Sequence, residues 1–114
     1  MSHAVAPTEL ADAAREYATD AYLLYAKDGS ARVNHVRIAL VDADGTVVCQ
    51  GFGRGVQAPV GDEATLSILW PAERAEQFSL IADGTGSIDG ELLSIRVSNA
   101  VLHRPAPDGG PSAC

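Results

Sequence analysis

The chain has 114 residues, 46% of them hydrophobic and only 5% aromatic, so a single core built mainly from Val, Leu, Ile and Ala is expected, burying roughly two thirds of the unfolded surface. Lys plus Arg number 8 against 15 for Asp plus Glu, a net charge of −7 that repels a phosphate backbone and argues against nucleic acid as a partner. No apolar run approaches the ~20 residues needed to cross a bilayer, and the opening Met1-Ser2-His3-Ala4-Val5-Ala6-Pro7 lacks the basic start and long apolar run of a secretory signal.

Pro7 and Thr8 are helix-start residues, and Glu9, Leu10, Ala13, Ala14 and Tyr17 follow at amphipathic spacing, predicting one short helix over 8–19. Beyond it the punctuation changes to Asp28-Gly29, Asp44-Gly45 and Asp89-Gly90, pairs that mark hairpin turns between apolar or β-branched runs. Strands are expected over 21–26, 33–41, 46–52, 65–70, 78–83 and 92–102. In the second, Val36, Ile38 and Leu40 alternate against His35 and Arg37; in the last, Leu93, Ile95, Val97 and Val101 share a face.

Six strands in so short a chain predict a mainly β domain over 1–104, α+β only by its small helix, closed as an antiparallel barrel that leaves no long unpaired edge. The Pro- and Gly-rich run 105–114 reads as a disordered tail. Cys49 inside a strand and Cys114 at the end make a poor disulfide framework, so a reducing cytoplasm is the expected compartment. A small core also favours pairing of two copies.

His3, His35 and His103 are isolated and neither cysteine has a ligand-spaced neighbour, so no metal site is expected. No Gly-x-Ser-x-Gly elbow is present. The cluster Gly51-Phe52-Gly53-Arg54-Gly55 follows a strand but lacks the Lys-Ser/Thr ending of a phosphate loop. Two interpretations remain for it: glycines that let backbone N–H groups approach an anion beside the Arg54 fork, or a bulged turn with a solvated arginine. Arg37 likewise is either an anion ligand or a sheet-face cation paired with a cross-strand acid. Trp70, the sole tryptophan, suits the core or a stacking position beside a ring or dimer seam. His103 with Arg104 is a strand-end polar cluster or a contribution to a partner's site.

Taken in order, these pieces resemble the flavin-binding split β-barrels related to pyridoxamine 5′-phosphate oxidase. The resemblance rests on Val36-Arg37-Ile38-Ala39-Leu40, the Asp44-Gly45 turn, and Thr46-Val47-Val48-Cys49-Gln50. It continues through Gly53-Arg54-Gly55 where that family often has Ser-Arg-Lys, Ser67-Ile68-Leu69-Trp70-Pro71, and the run from Gln77 to Thr85. It implies a six-stranded split β-barrel homodimer that binds FMN and acts as an oxidoreductase on a small molecule. Arg37 and Arg54 would hold the flavin phosphate, Gly53 would lie beside it, and Gln50 and Gln77 would stand near the phosphate or ring. Arginine's planar fork suits a dianionic phosphate because it donates two hydrogen bonds without a movable proton. A non-catalytic module for FMN, deazaflavin F420 or haem, or a ligand-free structural dimer, are the alternatives. Pro59 and Gly61 interrupt the helix that the family has between Arg54 and Thr65, and the chain stops soon after the final strand, so the vitamin-forming oxidation itself is not expected.

Overall fold

A computed structural model describes residues 2–56 and 64–105. The expected tail beyond 105, Cys114, and the interruption at Pro59 and Gly61 lie outside the described residues. Among the described residues there are seven strands: β1 Ser2–Val5, β2 Asp20–Lys27, β3 Ser30–Val41, β4 Thr46–Gln50, β5 Ala64–Trp70, β6 Ser79–Asp89 and β7 Leu92–His103. A 3-10 turn at Pro7–Glu9 leads into a short helix α1, Leu10–Ala14.

The strand order is β1-β7-β4-β3-β2-β5-β6, and β6 pairs back onto β7. Strands β2 to β7 therefore close a six-stranded antiparallel barrel, the mainly β fold class expected, with one short helix. The unexpected strand is β1. One edge of β7 is covered by β6 throughout; its other edge takes β4 at Leu93–Arg96 and β1 at Ala100–His103. A four-residue segment with no clear alternation becomes a strand because that edge is otherwise unpaired beyond β4.

Turn chemistry sets the register. Asp28 and Gly29, with φ of 51° and 78°, join Lys27 to its partner Ser30, the doubly left-handed turn whose twist matches paired strands. Gly90 (φ 63°) and Glu91 join Asp89 to Leu92. Between β3 and β4 the Asp42 N–H donates to the Thr46 carbonyl (2.8 Å), and the Thr46 N–H donates to the Asp44 carboxylate (3.0 Å). That Thr46 N–H holds the Asp44 carboxyl below the usual carboxylate range. Its contribution to stability is thus present above the ordinary carboxylate value and is lost as pH falls through the depressed one.

Inside the barrel sit Leu23, Val36, Val47, Cys49, Leu66, Ile68, Trp70, Leu80, Leu93 and Ile95, all buried. Leu10 and Val5 cover one part of this core, while Phe52 and Val56 belong to the segment that follows β4. Two bulges shift the simple alternation. Between Ile38 and Leu40 the register with β4 slips, so that Leu40 is 51% exposed and Val41 packs against the core instead. A second slip opposite Asp83 and Gly84 has the same effect in β7: Ala100 is buried, and Val101 leaves the face of Leu93, Ile95 and Val97.

The helix is shorter than the 8–19 expected. Past Ala14 the backbone closes i→i+3 bonds, Glu16 N–H to the Ala13 carbonyl and Tyr17 N–H to the Ala14 carbonyl, a tightening typical of helix ends. The Tyr17 hydroxyl then donates to the Phe78 carbonyl, tying this segment to the β5–β6 connection. Burial raises the Tyr17 phenol above its ordinary value, with the Glu16 carboxylate adding to the effect. Among the described residues, no helix is long and apolar enough to cross a membrane.

Candidate functional site

Because side chains alternate along a strand, Asp20 on β2, Arg37 on β3 and Gln50 on β4 all point away from the barrel interior. They stand directly opposite one another: Arg37 is the cross-strand partner of both Asp20 and Gln50. His35 lies two residues before Arg37 on the same face. Its Nε2 is 3.1 Å from Asp20 Oδ1, and its ring lies 5.5 Å from that of Tyr22, tilted by 32°. Asp20, although placed opposite Arg37, thus gives its carboxylate to the neighbouring imidazole. The cross-strand acid pairing considered for Arg37 does not form.

β4 ends at Gln50, two residues short of the strand expected over 46–52, because Gly51 takes φ of 77° and Gly53 of 83°. Between the two glycines the Phe52 side chain is buried at 4% exposure, and Val56 is fully buried beyond them. The Phe52 carbonyl accepts from Asn34 Nδ2 (2.5 Å), and Asn34 Oδ1 accepts from the Tyr25 hydroxyl (3.2 Å). The segment is therefore pinned from inside the barrel, while Gly51, Gly53 and exposed Arg54 face outward. A Cβ at Gly51 would meet no atom within 4 Å, and one at Gly53 only Asn34 Nδ2 at 3.5 Å. Backbone is accessible there to a bound group.

The result is a cleft of about 580 Å³ lined by Asp20, His35, Arg37, Gln50, the run from Gly51 to Arg54, and the β6–β7 turn residues Gly90 and Glu91, within the ordinary size range for small-molecule sites. Arg37, Gln50, Gly53 and Arg54, four of the residues singled out in the sequence, come together in it. Neither arginine makes an ion pair among the described residues, where the ion pairs are Arg15–Asp12 and His35–Asp20. Two unpaired guanidinium groups, an amide and glycine backbone suit a phosphate, which charge-assisted donors bind best.

Gln77 is placed elsewhere. It is 9% exposed, accepts from the Glu73 N–H through Oε1 (2.8 Å) and donates from Nε2 to the Glu16 carbonyl (3.3 Å). Its amide thus holds the β5–β6 connection against the end of the helical segment. It lines a second cleft of about 410 Å³ together with Arg74, Ser79, His103 and Arg104. There the Arg104 guanidinium lies 4.7 Å from the Phe78 ring centroid, and His3 packs against that ring from 5.4 Å. Trp70, 1% exposed, is a core residue of this chain.

The Cys49 thiol is fully buried, and desolvation pushes it up to about 12, so it is not a nucleophile near neutral pH. Among the described residues, no group of three or more His, Cys, Asp or Glu gathers as a metal site. Sequence reasoning missed Asp20, His35 and Glu91 as cleft residues. The signal for His35 was its two-residue spacing from Arg37; Asp20 and Glu91 become visible only once strand register is known. Compared with family models, with curated proteins and with solved structures, the chain matches none.

Proposed function

We propose that the chain is a small FMN-binding split-barrel protein, working as a homodimer and as an oxidoreductase on a small molecule. The observation that carries this reading is the convergence of Arg37, Gln50, Gly53 and Arg54 on one cleft. Arg37 and Arg54 bind the phosphate through charge-assisted hydrogen bonds. Gln50 donates its amide beside them, and the glycines let the phosphate approach the main chain. Bound FMN supplies the hydride or electron chemistry. The chain's own groups position it and set the charge around it.

Supporting the homodimer is an apolar row on the outside of the barrel. Tyr22, Leu69, Ile81, Val101 and Ala4 are successive cross-strand partners on β2, β5, β6, β7 and β1. Tyr22 remains 38% exposed, and Leu24 and Val33 extend the apolar face on β2 and β3. The row starts at the ring that touches His35, so a second copy seated on it borders the cleft. Ile81→Glu, which puts a charge in the middle of the row, is expected to yield a folded monomer while the unaltered chain sediments as a dimer. A monomeric unaltered chain at high micromolar concentration refutes this part.

The cofactor reading is tested by titrating the purified protein into FMN and following flavin fluorescence, with riboflavin, deazaflavin and haem in parallel. FMN is expected to bind much more tightly than riboflavin. Arg54→Ala and Arg37→Ala are each expected to cost about 1.5–3 kcal/mol, roughly ten- to a hundredfold in affinity. Equal affinities for FMN and riboflavin, or unchanged binding in both variants, overturn it. Tight binding with no turnover by any electron donor selects the non-catalytic module.

A further inference from the structure

The cleft that gathers two arginines also gathers two carboxylates. Arg37 and Arg54 are opposed by Asp20 and by Glu91, and all four line the same space. With the imidazole of His35 neutral, these charges cancel, and an oxyanion entering the cleft gains little from the local field. With the imidazole protonated, the cleft carries a net positive charge. Imidazole is the side chain that most readily gains or loses a charge near neutral pH, and among the described residues His35 is the only imidazole lining this cleft.

Geometry makes His35 part of the site. It shares the outward face of β3 with Arg37, and Asp20 Oδ1, 3.1 Å from Nε2, holds the ring in place. Asp20 and Tyr22 from β2 contact it, and the titratable, charged or polar groups that line the cleft with it are Arg37 from its own strand, Gln50 from β4, Arg54 after β4, and Glu91 from the β6–β7 turn. The side chains of His35 and Asp20 are 61% and 57% exposed, so the proton exchanges freely with solvent.

We propose that His35, positioned by Asp20, is the third cationic group of the anion site and the one whose protonation sets the affinity for a bound oxyanion. This rests on reading the cleft as an anion site, but not on the anion being the phosphate of FMN. The imidazolium attracts the oxyanion and offsets Asp20; with the imidazole neutral, the two carboxylates balance the two arginines and the ligand is held less tightly. An oxyanion of fixed charge is held more tightly with the imidazole protonated than with it neutral.

The probe is inorganic sulfate, which stays dianionic throughout the window, titrated calorimetrically into the full chain at pH 5.5 and pH 8 in low-ionic-strength buffer, where exposed charges are least screened. The unaltered protein is expected to lose about tenfold in sulfate affinity between the two. His35→Gln is expected to bind weakly at both pH values. His35→Lys, charged at both, is expected to bind tightly at both, and Asp20→Asn to bind more tightly at pH 8 than the unaltered chain. Circular dichroism checks that each variant is folded. A pH slope that survives in His35→Gln, equal affinities at both pH values in the unaltered chain, or no sulfate binding at pH 5.5 overturns the proposal. Sulfate binding with the expected slope alongside failure to bind FMN upholds it while refuting the flavin reading.

Discussion

Gly84→Ala is expected to destabilise the fold by about 3 kcal/mol or more, read as a fall of roughly 12 °C or more in melting temperature. At the bulge where β7 carries an extra residue opposite Asp83 and Gly84, the two backbones press together. A Cβ at Gly84 would collide with the Arg96 carbonyl oxygen and lie 2.8 Å from its carbon and 2.9 Å from Val97 Cα. All three are backbone atoms of a hydrogen-bonded strand, so no flexible side chain can swing aside. The β6–β7 pairing closes the barrel, and its disruption reaches every strand. Gly51→Ala is the contrast: its Cβ meets nothing within 4 Å, and only the left-handed backbone is penalised, by about 1–2 kcal/mol. Melting curves that place the two variants together would show that the close approach at Gly84 is relaxed in solution.

Trp70→Ala is expected to cost about 3–5 kcal/mol, a large share of the 5–15 kcal/mol that holds a typical domain. The indole is 1% exposed at the end of β5, within the core that includes Leu23, Ile68 and Leu80. Trp70→Phe, which keeps an aromatic ring there, is expected to lose less. Chemical unfolding followed by circular dichroism measures both, and in the unaltered chain the emission of this sole tryptophan should shift to the red only at the unfolding transition. Full stability in Trp70→Ala together with weakened flavin binding would move the residue from the core to the ligand.

Most of the barrel was legible in the chain because its signals are local. Asp28-Gly29 and Asp89-Gly90 mark turns that need left-handed backbone, and alternation in Val33–Ile38 and Leu93–Val97 separates inside from outside. What escaped depends on partners distant in sequence. Gly84-Thr85-Gly86 reads as the end of a strand, yet β6 runs on to Asp89 because glycine permits the close approach of β7. The bulges that turn Leu40 outward and Ala100 inward arise from cross-strand register, which no single strand encodes. At the candidate site, Arg37, Gln50 and Arg54 were linked through the family resemblance, and the pairing of Arg37 with Gln50 across β3 and β4 sets two of them side by side. Gln77 carried a similar motif resemblance but has its amide bonded to the main chain at Glu73 and Glu16. Asp20 and Glu91 enter the cleft through strand pairing and a hairpin turn, and neither stands out as a sequence motif.

Phe52 has a mechanical consequence. Its ring is anchored in the interior and its carbonyl is tethered to Asn34, which is itself tied to Tyr25, so Arg54 is slung between two buried anchors, Phe52 and Val56. Gly53, with φ of 83°, is the swivel between Phe52 and Arg54, and Gly51 is the one between β4 and Phe52. An altered side chain deep in the barrel, far from any anion, would therefore re-aim the guanidinium, and the grip on a ligand would register how well the interior is packed.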